Sequence, residues 1–196
     1  MKVSKINSEL SPDQYHSLIN EKSDCIILCN DMDKLTWFIT RYTQFLCRKG
    51  GYEVIPIYGE TVTNLKDFCY QVNCSLPFGF RVRPDLGALY DLILNFETEP
   101  DNRVFIWHDA QHQLKTTPEL FNDVTESLVV AGFLNRNAMS TIKSDNTRYK
   151  VNQRNMIVFF DTAVEELLFF LNREYYIPSI DGVYDSKFEF QICEII

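Results

Sequence analysis

A chain of 196 residues with 45% hydrophobic and 23% charged side chains has the size and composition of one globular domain with one substantial core. No stretch approaches the eighteen or more uninterrupted apolar residues of a membrane helix, and Met1 to Asp24 intersperses Lys2, Lys5, Glu9, Asp13, Glu21 and Lys22 among few apolar residues, unlike a secretory signal. The net charge of −8 repels nucleic-acid phosphates and attracts basic proteins, so the expectation is a single cytoplasmic domain over 1–196, away from membranes and nucleic acid, with a protein partner of basic charge.

The first clear element is the apolar run 25–29. It meets Asp31 and Asp33, after which Leu35, Phe38, Ile39, Tyr42, Phe45 and Leu46 recur at helical spacing up to Gly50 and Gly51. Residues 52–58 read as a second strand ended by Gly59, and Leu65, Phe68, Cys69 and Val72 mark one face of a second helix. Pro77, Gly79 and Pro84 break the chain before Leu86, Leu89, Tyr90 and Ile93 trace a third helix closed by Pro100. Val104 to Trp107 read as a third strand. Thr117 as N-cap, Pro118 at the first helical position and Glu119 at the positive end of the dipole then start a helix reaching about Ala131.

Met156 to Phe160 is a fourth strand, followed by a Thr162/Glu165 capping box and a helix through Val164, Leu167, Leu168 and Leu171. Residues 188–192 offer a last strand in which Phe188, Phe190 and Ile192 alternate. Strands alternating with helices predict an α/β fold, a mainly parallel sheet of about five strands with helices on both faces. The expected core includes Leu35, Phe38, Ile39, Tyr42, Leu46, Phe68, Val72, Leu89, Ile93, Phe105, Val124, Leu128, Ile157, Phe159, Leu167 and Leu168. Trp37 and Trp107 lie within apolar patterns and read as core. The six cysteines, beside apolar runs, read as reduced and buried.

Residues 135–154 stand apart, long, polar and without helical periodicity. Arg136, Lys143, Arg148, Lys150 and Arg154 face only Asp145 there. Such a basic insertion is either a solvated loop or small hairpin, or a surface that contacts a partner or a phosphate.

Chemistry-bearing motifs are sparse. His108 and His112, four apart at a strand end, lack a third metal ligand. No Gly-x-Ser-x-Gly elbow and no Gly-x-Gly-x-x-Gly loop occurs. Neither a cofactor nor catalysis is expected.

From the first strand through residue 172, the order of elements resembles the P-loop NTPases, particularly AAA-type ATPases. That family places its phosphate loop at the turn Cys29-Asn30-Asp31-Met32-Asp33-Lys34-Leu35-Thr36. The chemistry there calls for glycines, so that backbone N–H groups wrap the phosphates, followed by Lys and Ser or Thr. Here no glycine is present, Lys34 and Thr36 are not adjacent, and Asp31 and Asp33 would oppose a triphosphate. Val104, Phe105, Ile106 and Trp107 leading to His108 and Asp109 resemble a Walker B strand, but Ala110 stands where the active family has a carboxylate that orients water. Asp161 and Thr162 fall where a polar sensor residue is placed, a position that also reads as an ordinary cap. The resemblance implies a P-loop architecture without nucleotide chemistry, with Lys34, Thr36 and Asp109 as a vestigial nucleotide site and a residual ATPase as the enzymatic alternative.

A second resemblance, over 59–94, is to barstar, the intracellular inhibitor of a secreted ribonuclease. It rests on Gly59-Glu60, then Leu65, Asp67 and Phe68, then Leu76-Pro77, then Asp85-Leu86-Gly87-Ala88-Leu89-Tyr90-Asp91. It implies an acidic contact from Asp91 to a basic nuclease, with Asp85 as a further candidate partner contact, although Gly87 replaces another family carboxylate and Arg81 and Arg83 depart from the pattern. The two resemblances differ in strand order. A P-loop arrangement sets strand 25–29 between two others, and a barstar core leaves it as an added edge.

Overall fold

The computed structural model describes residues 3–20, 22–75, 83–94, 100–160 and 173–196. In chain order the elements are β1 (Val3–Ile6), α1 (Pro12–Leu18), β2 (Cys25–Cys29), α2 (Met32–Lys49) and β3 (Tyr52–Tyr58), then a 3-10 turn (Gly59–Thr61), α3 (Leu65–Ser75) and α4 (Leu86–Leu94). They continue as β4 (Asn102–His108), α5 (Gln111–Thr116), α6 (Pro118–Arg136), β5 (Asn152–Phe160), β6 (Tyr175–Ser179), β7 (Gly182–Ser186) and β8 (Gln191–Ile195).

Six strands form one sheet in the order β1-β8-β2-β5-β4-β3, and every pairing in it is parallel. The central strand β2 lies between β8 and β5, with Ile26 opposite Ile192 on one side and Ile157 on the other. That is the place the P-loop resemblance implies, not the edge position of a barstar core. Strands of such a sheet are buried on both faces, and β2 is buried at all five positions.

Alternation divides the core in two. Ile26, Leu28, Ile55, Ile57, Phe105, Trp107, Ile157 and Phe159 point toward α3, α4 and α6. Cys25, Ile27, Cys29, Val104, Ile106, Met156 and Val158 point toward α1 and α2. α2 is amphipathic as expected, burying Leu35, Phe38, Ile39, Tyr42 and Leu46 and ending in Arg48 and Lys49, where cations suit the helix dipole. Gly50, at φ 78°, stops it. Of the expected core residues among those described, all but Trp37 are buried, while Leu167 and Leu168 lie outside the described residues, as does the expected helix 162–171. No helix of the described residues is long and apolar enough to cross a membrane.

Several expectations are corrected. The sheet has six strands because β1 adds an edge beside β8. A separate antiparallel hairpin, β6–β7, packs Tyr175 and Ile177 into the core. The last strand is Gln191–Ile195 rather than 188–192, and Phe188 and Phe190 pack beside the core just before it. Trp37 is 55% exposed, with the Arg41 guanidinium 5.0 Å from its ring centroid. Cys47 and Cys74 are exposed, whereas the other four cysteines are buried. Thr117 stands at the N-cap of α6, but its side chain makes no capping hydrogen bond.

The basic insertion also contracts. α6 continues to Arg136 and β5 begins at Asn152, so only 137–151 connects them. A lone antiparallel bridge, Ile142 to Arg148, makes it a small hairpin.

Candidate functional site

The turn between β2 and α2 consists of Asn30 and Asp31 alone. Asp31 has an extended backbone and is the N-cap of α2. Its Oδ1 accepts the backbone N–H groups of Asp33 at 3.0 Å and Lys34 at 3.1 Å. These are the free N–H groups that a helix N-terminus offers to an anion. Here a carboxylate of the chain itself occupies them.

β4 ends at the same end of the sheet, with β5 between it and β2. Asp109 follows it in the left-handed region at φ 51°, a conformation that costs energy for a residue with a Cβ. Surrounding contacts hold it. The Ala110 N–H donates to the Val158 carbonyl at 3.0 Å, the His112 N–H donates to the Asp109 carbonyl at 3.0 Å, and the Phe160 N–H donates to Gln111 Oε1 at 3.0 Å. Gln113, fully buried, donates to the carbonyls of Gly59 and Val62, both at 2.6 Å. Gly59 is required there, because a Cβ would stand 2.5 Å from the Asp109 carbonyl oxygen and 2.7 Å from that of His108. Ala110 is buried, and its methyl side chain packs in the core.

A groove of about 420 Å³ runs between α2 and the ends of β3 and β4, lined in part by Thr36, Thr40, Pro56, Tyr58, His108 and Asp109. Of the three residues expected at a vestigial nucleotide site, Thr36 and Asp109 share this groove, whereas Lys34 lies on the exposed first turn of α2 outside it. Among the described residues no lysine or arginine lines the groove. His108 stacks on Tyr58 at 5.0 Å and 11°. Burial pushes the His108 pKa below its ordinary value, against the smaller opposing pull of Asp109, so the imidazole is neutral near pH 7. Among the described residues Asp109 is the one carboxylate lining the groove, and like charge there opposes an anion.

The residues expected to contact a partner do not form one surface. Asp85 caps α4, accepting the Ala88 N–H at 2.9 Å, and Asp91 lies exposed farther along that helix. Arg148 makes a bidentate pair with Asp181 at 2.6 and 2.7 Å, tying the 137–151 connection to the turn of the β6–β7 hairpin. The Lys143 ammonium lies 5.9 Å from the Tyr149 ring centroid. Arg154 is buried in β5, donating to the Tyr42 hydroxyl at 2.8 Å. Arg136 and Lys150 do come together, lining a cavity at the N-terminal ends of the strands with Lys22 and Lys187. Those two lysines carry no local sequence signal, because the chain brings them there from 165 positions apart. The Arg81 and Asp161–Thr162 positions of the two resemblances lie outside the described residues.

No protein-family model matches the sequence, and no curated protein matches it. Solved structures do. A chain of the Drosophila ORC bound to AT-rich DNA and Cdc6 is 12% identical with a TM-score of 0.52, over 94% of this chain and 28% of that one. A chain of Drosophila ORC bound to poly(dA/dT) DNA and Cdc6 is 14% identical with a TM-score of 0.50, again over 94% and 28%. The Aeropyrum pernix ORC2 protein, in its ADPNP-ADP complexes, is 13% identical with a TM-score of 0.48, over 83% of this chain and 41% of that one. This chain spans less than half the length of each. The likeness to the Drosophila chains shows a P-loop NTPase-like fold.

Proposed function

We propose that this domain keeps the P-loop architecture, has lost its nucleotide chemistry, and acts without a cofactor through contacts with another protein. The observation that carries this reading is the Asp31 cap. A phosphate loop needs free backbone N–H groups and glycines that let the chain approach the anion, but the N–H groups of Asp33 and Lys34 already bind the Asp31 carboxylate. Among the described residues, the groove beside Asp109 adds no cation to replace them.

The protein-contact part rests on exposed apolar surface. Hairpin β6–β7 leaves Tyr176, Val183, Tyr184 and Ile180 exposed at 56%, 59%, 43% and 41%. Tyr176 and Val183 share one face and Tyr184, opposite Ile177, lies on the other, and exposed tyrosine and aliphatic side chains suit a protein interface. Arg148 and Asp181 hold the hairpin turn in place.

The placing of Thr36 and Asp109 in one groove favours residual nucleotide binding as the competing reading. Titration of a fluorescent ATP analogue with Mg²⁺ separates the two. No saturable binding is expected up to millimolar concentration. Saturable binding lost on Asp109→Ala would establish the competing reading instead.

A further inference from the structure

The cavity that Arg136 and Lys150 share has a volume of about 600 Å³. It lies at the N-terminal ends of β2, β5 and β8, the opposite end of the sheet from Asp31 and Asp109. Its charged walls are Lys22, Asp24, Arg136, Lys150, Lys187 and Glu189. Asp24 and Arg136 neutralise each other through a bidentate pair, both contacts at 3.1 Å. Three lysines then stand against one glutamate. Lys22 and Lys150 make no ion pair among the described residues, and Lys187 lies 3.9 Å from Glu174 with both side chains two-thirds exposed, a contact worth little. In a chain of net charge −8, this concavity is locally positive.

One wall is apolar. The rings of Phe133 and Phe188 lie 5.2 Å apart at 58°, and Phe188 is held from behind by Tyr175 at 5.0 Å. Arg136 is fixed by Asp24 and by the Gln153 carbonyl at 2.5 Å. The surface is therefore largely ordered before anything binds, which lowers the cost of binding.

We infer that this cavity receives an acidic segment of the partner protein, with carboxylates that meet Lys22, Lys150 and Lys187 and an aromatic side chain against Phe133 and Phe188. The inference rests on the protein-contact reading above and supplies the chemistry of the contact. Charge complementarity selects the occupant. A basic segment would meet three lysines. Glu189 on the wall disfavours the dense charge of a polyphosphate, whereas spaced carboxylates can avoid it. The chain as a whole attracts basic proteins, but here the local field has the opposite sign.

The test uses the full chain and a fluorescein-labelled Asp-Glu-Phe-Asp-Glu peptide, followed by fluorescence anisotropy. Saturable binding is expected to weaken steadily between about 0.05 and 0.5 M salt, and to be lost for the Asn-Gln-Phe-Asn-Gln counterpart. The Lys150→Glu/Lys187→Glu variant should bind the acidic peptide at least about tenfold more weakly. Both lysines are exposed, so its melting temperature should match that of the parent. Absence of saturable binding, or equal binding by the variant, would overturn the inference. Displacement of the peptide by submillimolar inorganic phosphate would make this a small-anion site and overturn the choice of occupant. Self-association of the chain that the variant abolishes would do the same in favour of a second copy. None of these outcomes bears on the loss of nucleotide chemistry, which is read separately from nucleotide binding.

Discussion

Asp24, immediately before β2, and Arg136, at the end of α6, are 112 residues apart in sequence and form a bidentate ion pair at 3.1 Å. Asp24 also accepts the backbone N–H of Asn155 at 2.7 Å and its side-chain amide at 2.9 Å. One carboxylate thus joins β2, β5 and α6 beneath the sheet. Its side chain is 3% exposed and that of Arg136 12%. Removing one partner of a buried pair leaves an uncompensated charge, so Asp24→Ala should cost about 3–5 kcal/mol. Urea denaturation measures it, and an unchanged midpoint would contradict the placement.

The Asp31 cap predicts an asymmetry between neighbouring acids. Asp31→Ala should destabilise the domain by about 0.5–2 kcal/mol, the usual cost of a lost N-cap. Asp33 lies in the first turn of α2 and makes no cap hydrogen bond of its own, so Asp33→Ala should cost only the dipole contribution, about 0.3–1 kcal/mol. Equal losses in chemical denaturation would show that the two carboxylates share the cap.

Gly59 predicts a steric effect. The Cβ of Gly59→Ala would stand 2.5 Å from the Asp109 carbonyl oxygen and 2.7 Å from Gln113 Oε1. The nearest obstacle is backbone and cannot rotate away. An overpacking cost of about 1–3 kcal/mol is expected. A thermal melt matching that of the parent would mean that the β3 and β4 ends separate more readily than this contact implies.

His108 gives the acid limb of stability a definite sign. Burial lowers its pKa in the folded protein below the ordinary 6.5, so as the pH falls the unfolded chain takes up its proton first. Stability is then fully present above pH 6.5 and is lost as the pH falls toward the lowered native value. His108→Phe keeps a ring against Tyr58 and removes the proton. Its urea midpoint should fall less steeply than the parent's between about pH 7 and 5. Parallel pH profiles would contradict a lowered His108 pKa in the folded protein.

The elements legible in the sequence are those whose own residues bury them. Leu35, Phe38, Ile39, Tyr42 and Leu46 define α2 by spacing alone, and the acidic turn before it proved to be its cap. β1 gave no such signal, because only Ile6 of its four residues is buried and its partner, β8, lies at the far end of the chain. The first half of β5 reads as loop because Asn152, Gln153, Arg154 and Asn155 are polar. Three of these are buried nonetheless, with Arg154 on Tyr42, Gln153 on Asn135 and Asn155 on Asp24, all partners from other elements. The basic residues of 135–154 were visible as a cluster, but sequence cannot say which are consumed. Arg136, Arg148 and Arg154 have internal partners, while Lys150 joins Lys22 and Lys187, which only folding brings together.

The proposed loss of nucleotide chemistry is tested most directly by thermal melting of the full chain with and without millimolar Mg-ATP, because a ligand that binds only the native state raises its melting temperature. No shift is expected beyond that produced by an equal ionic strength of salt. A saturable rise with Mg-ATP, abolished by Asp109→Ala, would contradict the account.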